Sequence, residues 1–292
     1  MAVKRLTERF IVFLVRLTRI DLQILALNEL GVLRSGDYTL SGEQFFLEKI
    51  LPMFIEDKKP IFFDVGANTG DYSKLLASIF PKATIYAFEP NPHTYKILQS
   101  ESKNQNIITS MIGISSSTGE ATISLDPKFL TSGSTSLYGE KIESLGMYDH
   151  DLSVKEKIRL STLDLLTSKA NVGIIDFLKI DIEGNELEAL RGGVNLIKKD
   201  RIGIIQFEFN VTNIASRVFL KDFYDLLEGY RFYRIKQRGL VALNAYSPLN
   251  EVYRIQNILA ISNRRFPIKS FDTKLKCQRL LFDRYGRHSN ND

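Results

Sequence analysis

Apolar and polar positions follow two rhythms along this chain. From about residue 58, short apolar runs at 61–65, 84–88, 106–112, 174–180 and 202–209 alternate with longer amphipathic stretches. The runs are of strand length. Between them lie helical patterns at 70–79, from Pro90-Asn91-Pro92 to about 101, and at 216–228, with Leu187, Leu190, Val194 and Ile197 sharing one helix face. Strands alternating with helices predict a parallel, doubly wound α/β sheet. Two further runs, 230–237 and 252–262, enclose a polar turn region and predict a hairpin-like close, giving a seven-stranded mixed sheet.

The rhythm breaks between 113 and 160. A short strand at 121–125, a Ser/Gly-rich stretch at 131–136 and a strand at 157–161 read as an insertion. Insertions of this length in an α/β domain usually cover or build the substrate site. Ahead of the first strand, 41–56 reads as one helix with Glu43 and Gln44 in its first turn, ended by the turn at Pro60. Residues 1–34 read as one or two basic amphipathic helices. Leu6, Phe10, Phe13, Leu14, Leu17, Leu22 and Leu25 recur at helical spacing, with Lys4, Arg5, Arg9, Arg16 and Arg19 between them. Packing on the domain, packing on a second copy, and peripheral membrane contact all suit that pattern. The expected organisation is a helical appendage at 1–57, an α/β domain at 58–263 that includes the insertion, and a basic tail at 264–292.

Composition narrows this only slightly. The 292 residues, 44% hydrophobic, suffice for one large core, and the net charge of +5 requires no anionic partner. A lone cysteine, Cys277, excludes an internal disulfide framework and favours a reducing, cytoplasmic setting. His93, His150 and His288 are too scattered to suggest a histidine-rich metal site. No apolar run is long enough to cross a bilayer, and Arg16 and Arg19 interrupt any signal-peptide core.

The chemistry concentrates at the ends of the strands. After 61–65 the chain reads Asp64-Val65-Gly66-Ala67-Asn68-Thr69-Gly70 and enters a helix at Asp71-Tyr72. A dinucleotide fingerprint needs glycine where Asn68 and Asp71 stand. An acid at Asp71 would face a pyrophosphate with the wrong charge. The loop suits a ligand with a positive centre and no phosphate, such as S-adenosyl-L-methionine. Glu89, at the end of the second strand, can accept hydrogen bonds from both ribose hydroxyls. Asp64, Gly66, Ala67, Asn68, Gly70, Tyr72, Glu89 and Pro90 are the expected cofactor-binding residues.

The motif at 64–70, then Phe88-Glu89-Pro90-Asn91-Pro92, Thr162-Leu163-Asp164 and Leu178-Lys179-Ile180-Asp181-Ile182-Glu183-Gly184-Asn185-Glu186, resemble in order the FkbM family of S-adenosylmethionine-dependent methyltransferases. The resemblance covers about 58–263. It implies a class I methyltransferase fold, a Rossmann-like sheet whose last strand is antiparallel, and O-methylation of sugars, glycolipids or polyketide-type products. Where many class I enzymes carry an acid for the adenine, this chain has Gly113-Ile114-Ser115.

Asp181 and Glu208 end neighbouring strands and are the expected general bases, in that order. Asp181, Glu208 and Asn210, with Glu183 nearby, also resemble the Mg²⁺ site of catechol-type O-methyltransferases. Glu183 is expected either to meet substrate or, like Glu186, to stabilise a helix start. The expected acceptor is a glycan or other small molecule rather than nucleic acid. RNA 2′-O-methylation, a non-catalytic scaffold and an NAD-linked oxidoreductase are the competing readings.

Overall fold

The computed structural model describes all residues except 1, 33–37, 57–58, 104–105, 132–135, 147–151, 244, 278–280 and 284–292. The Ser/Gly-rich stretch at 131–136 and the tail's end therefore fall largely outside the described residues, as do His150 and His288.

The chain forms β1 (Ile61–Val65), β2 (Thr84–Phe88), β3 (Ile107–Ser110), β4 (Gly113–Ile114), β5 (Gly119–Leu125), β6 (Val154–Ser161), β7 (Ile175–Ile180), β8 (Ile202–Phe209), β9 (Tyr230–Lys236), β10 (Gly239–Ala242), β11 (Gln256–Ser262) and β12 (Leu281–Asp283). The main sheet runs β12-β10-β9-β11-β8-β7-β1-β2-β3. From β8 to β3 every pairing is parallel. β11 slots antiparallel between β8 and β9. Those seven strands form the class I methyltransferase sheet, as expected.

Two more strands extend the edge. The region between 237 and 252 was expected to be a polar turn, yet Gly239–Ala242 is wholly buried and pairs antiparallel with β9. β12, drawn from the basic tail, adds parallel to β10. The preceding helix, Ile268–Cys277, buries Phe271 and Leu275.

Alternation along the strands sorts side chains to the two faces of the sheet. Phe63, Leu178, Ile180, Ile205 and Phe207 pack on one face, with Leu187, Leu190 and Phe223 from the covering helices. Phe62, Phe177, Ile204 and Leu259 pack on the other. That second face is covered in part by the segment after Glu43, where Phe46, Leu47, Ile50 and Leu51 are buried. The Phe46 ring lies 5.8 Å from that of Phe177.

This segment is not the regular helix expected at 41–56. Tyr38–Ser41 and Glu43–Phe45 are short helices, Phe46–Ile50 is a π-turn, and Leu51–Met53 is a 3₁₀ turn containing Pro52. Gly42 separates the first two, at φ 85°. A side chain there would overlap the main-chain carbonyl of Lys236.

The insertion is a separate small sheet, β4-β6-β5. β5 and β6 pair antiparallel along their lengths over a core of Ile123, Leu125 and Ile158.

Candidate active site

The strand order reverses between β1 and β7. β2 and β3 lie to one side of β1, and the chain then returns to build β7 and β8 on the other. Ligands of open α/β sheets sit outside the carboxyl ends of the strands at such a switch point. A cavity of about 310 Å³ lies there.

The loop after β1 forms its floor. Gly66, at φ 80°, lies against Asp181, and a Cβ would overlap that residue's carbonyl oxygen. The Gly66 and Ala67 N–H groups both donate to the Phe88 carbonyl, at 2.9 and 3.0 Å. The Asn68 N–H donates to Glu89 Oε2 at 3.0 Å, and Asn91 N–H donates to Glu89 Oε1 at 2.9 Å. Glu89 is thus clamped between two loops while each oxygen keeps a lone pair for a ligand hydroxyl. Burial pushes its acid up to about 7 in spite of the two N–H donors. Asn68 Oδ1 is buried beside the cavity with no hydrogen-bond partner, an acceptor available to a ligand donor.

Asp64, Ala67, Gly70 and Tyr72 do not line the cavity. Asp64 is fully buried behind it. Its Oδ2 accepts from Ser73 Oγ at 2.6 Å, and Lys179 Nζ stands 3.9 Å from its Oδ1. Burial raises the Asp64 acid, and the Lys179 ammonium opposes that rise. Lys179, only 2% exposed and paired with Asp64 across β1 and β7, donates to Asp181 Oδ2 at 3.1 Å. One buried cation therefore stands between two carboxylates. Tyr72 lies under that ammonium, 4.8 Å from ring centre to Nζ.

The Tyr72 hydroxyl donates to Gln206 Oε1 at 2.7 Å, and Gln206 Nε2 donates onward to Glu43 Oε1 at 2.7 Å and Asn257 Oδ1 at 3.2 Å. Ser41 Oγ donates to the other Glu43 oxygen at 2.8 Å. This network aims Glu43 and Asn257 into the cavity. Neither was expected from the sequence. Burial raises the Glu43 acid.

At the end of β8, Asn210 Oδ1 accepts from the Thr212 N–H at 2.7 Å and its hydroxyl at 2.6 Å. A main-chain N–H can only donate, so the amide orientation is settled, and Asn210 Nδ2 donates to Glu208. Burial first, then the charges of Asp181, Glu183, Glu186 and Glu43, hold the Glu208 acid well above the usual range.

The turn after β7 carries Glu183 at φ 52°, a conformation uncommon outside glycine and asparagine. Glu186 secures it from below, accepting from the N–H groups of Ile182 at 2.9 Å and Gly184 at 3.1 Å. Burial takes the Glu186 acid to about 7. Glu183 itself faces the cavity. The insertion is tied to this turn. Ser136 Oγ donates to the Glu183 carbonyl at 2.8 Å, and Asn185 Nδ2 donates to the Ile114 carbonyl at 3.0 Å. Ile123, Leu137, Ile158 and Leu160 give the cavity an apolar wall that meets Pro90 and Ile114.

Asp164 and His93 lie outside the cavity lining. Asp164 caps Val194–Lys198, accepting from the Leu196 N–H at 3.1 Å, while Thr162 caps Leu163–Lys169. His93 sits 3.4 Å from Glu156 of the insertion and outside the cavity lining.

The Mg²⁺ expectation does not fit these donors. The Asn210 oxygen is taken by Thr212, its nitrogen faces Glu208, and Asp181 Oδ2 is taken by Lys179. Among the described residues no three His, Cys, Asp or Glu side chains gather to hold a metal ion.

Fold and site define a class I methyltransferase: a glycine loop after β1, a carboxylate after β2, and acidic groups after β7 and β8 on a sheet with the antiparallel strand next to β8. The chain belongs to the methyltransferase FkbM domain family, whose model matches residues 64–232. Over 176 residues it is 29% identical to the hexuronic acid methyltransferase AglP of Haloferax volcanii, covering 59% of this chain and 65% of that protein. It is 33% identical over 156 residues to the methyltransferase sdnD of Sordaria araneosa, covering 46% of this chain and 60% of that one. The matches span less than two thirds of each relative. A crystal structure of methyltransferase FkbM from Methylobacillus flagellatus aligns with a TM-score of 0.43 at 14% identity, covering 81% of this chain and 57% of that one.

Proposed function

We propose that this protein transfers a methyl group from S-adenosyl-L-methionine to an uncharged hydroxyl of a sugar or similar small acceptor. The observation that carries this reading is the acidic composition of the cavity lining. Glu43, Glu89, Asp181, Glu183 and Glu208 line it, and no lysine, arginine or histidine stands among the described lining residues.

Such a lining suits a cationic donor. Bound S-adenosylmethionine supplies a methyl group made electrophilic by its sulfonium. Glu89 is placed to accept from ribose hydroxyls, and Asn68 Oδ1 offers one more acceptor. Pro90, Thr94, Ile114, Ile158 and Leu160 offer an apolar slot for the base, in keeping with the lack of an acid at 113–115.

The same lining argues against an anionic acceptor. Two like charges about 4 Å apart repel by roughly 4 kcal/mol at an effective dielectric near 20. A uronate carboxylate, as in the hexuronic acid named for the archaeal relative, would meet Glu183, and Glu208 once that acid ionises, without a lining cation to offset them. A neutral hydroxyl avoids that cost, and so the reading favours ether formation over ester formation. An RNA phosphodiester meets the same objection.

A hydroxyl is a weak nucleophile until its proton is taken. Glu208 is the better-suited base of the two expected. Its acid is raised and Asn210 steadies one oxygen, whereas Asp181 already receives the Lys179 ammonium. Asp181 then serves to orient the acceptor.

Calorimetry should detect S-adenosylmethionine binding and no NAD binding, with binding lost in Glu89→Ala. Turnover should appear with neutral methyl glycosides and be far weaker with the matching uronic acids. NAD binding, or a preference for uronic acids, would overturn the reading.

A further inference from the structure

We propose that the helix Ala2–Thr18 is an interfacial anchor that docks this protein on an anionic lipid bilayer. Leu6, Phe10, Phe13, Leu14 and Leu17 recur at helical spacing and form one face. All are exposed, Phe13 at 59% and Leu17 at 69%. Arg9 and Arg16, seven residues apart, share another face, and both are exposed. Ile20, Leu22 and Leu25 continue the apolar exposure into the next helix, Leu22–Glu29.

The base of this arm is fixed to the body. Arg234 donates to the Leu30 carbonyl at 3.1 Å, and Lys236 lies 3.3 Å from Glu29. Docking of the arm would therefore hold the whole domain at the surface. A 17-residue helix with its apolar face in water is marginal on its own. A surface that takes up that face would supply the missing stabilisation.

Charge selects the occupant. Residues 1–20 carry Lys4, Arg5, Arg9, Arg16 and Arg19 against Glu8 alone. Two copies of the arm packed face to face would bring like charges together. Anionic headgroups complement the basic flank while acyl chains take the Phe and Leu side chains, which is how interfacial helices bind. The helix lies on the surface rather than through it, since no helix among the described residues is long and apolar enough to cross a membrane.

The test is cosedimentation of the full chain with vesicles of phosphatidylcholine alone or mixed with phosphatidylglycerol, beside sedimentation velocity without lipid. Strong binding to the mixed vesicles, weak binding to the neutral ones and release by salt are expected. Each basic residue near such a surface is worth about fivefold in affinity, so Arg9→Gln with Arg16→Gln should lose roughly thirtyfold. Phe10→Gln with Phe13→Gln should lose on the order of a hundredfold or more. Both double variants should keep the parent's unfolding midpoint, because these side chains are exposed. Absence of binding to either vesicle would overturn the proposal, as would equal binding to both that the arginine variant leaves unchanged. A stable dimer without lipid that Phe10→Gln with Phe13→Gln dissociates would assign the face to a second copy instead.

Discussion

Asn210 hydrogen-bonds to Glu208 with its amide nitrogen because its oxygen is committed to Thr212. Glu208 therefore has one oxygen steadied and its acid raised by burial and four surrounding carboxylates. A base works only when ionised. The kcat/KM for methyl transfer should rise with pH through the displaced Glu208 pKa, above the usual carboxylate range. Glu208→Gln should lower kcat by about 10²–10⁴ with little change in methyl-donor affinity. Asn210→Asp replaces the N–H donor by another carboxylate and should move the midpoint of the profile to higher pH. A flat profile in the parent enzyme would remove Glu208 from the role of base.

Lys179 is the buried counter-charge between Asp64 and Asp181. Removing one member of a buried ionic group leaves its partners uncompensated, typically at a cost of about 3–5 kcal/mol. Lys179→Met should destabilise the protein by that order in urea unfolding. Adding Asp64→Asn to Lys179→Met should recover part of the loss, since it removes one of the stranded charges. Additive losses in the double variant would show that the two residues do not act as a unit.

The loop and Glu89 were legible in the sequence because their chemistry is contiguous. The glycine turn and the acid after the next strand each lie within a few residues, and the intervening helix has a clear apolar period. The parallel strands were legible because burial on both faces leaves continuous apolar runs. Glu43, Gln206 and Asn257 come from three distant segments, and only the sheet order brings them together. Glu43 looked like an ordinary acid in a first helical turn. The core-like run Phe45-Phe46-Leu47 behind it was the available signal that its side chain must find an interior polar partner. β10 is four residues long, and β12 lies in a polar tail, so neither carries a pattern of its own. Asp64 and Tyr72 sit within the right motif but point behind the wall, a distinction of side-chain direction that spacing does not encode.

Gly66 should be intolerant of any side chain. Its φ is 80°, and a Cβ would overlap the Asp181 carbonyl oxygen across the switch point. Gly66→Ala must then either part β1 from β7 at their ends or twist the loop away from Glu89. Backbone strain of this kind costs on the order of 1–3 kcal/mol, and the overlap adds to it. Loss of methyl-donor binding together with a lowered unfolding midpoint is the expected outcome. Unimpaired binding in a folded Gly66→Ala protein would show that the loop does not approach the ligand.

Stability of the ligand-free protein should fall as pH rises from about 4.5 to about 7. Glu89 and Glu186 have folded-state acids near 7, against 4.5 for the free side chain. Between those values the folded state holds protons that the unfolded state has released, so raising the pH favours unfolding. The contribution is fully present below the unfolded value and is gone above the folded one. A shift of one unit corresponds to about 1.4 kcal/mol, so each residue could contribute up to roughly 3 kcal/mol. Glu186→Gln is the cleaner probe, since Glu186 closes a turn beneath the cavity and does not line it. Its unfolding midpoint should depend less on pH over this range than the parent's. A parent midpoint that climbs steadily from pH 4.5 to 7 would show that the acids of Glu89 and Glu186 are not raised in the folded protein, because Asp71, whose acid the Lys74 ammonium lowers, changes its contribution only below that window.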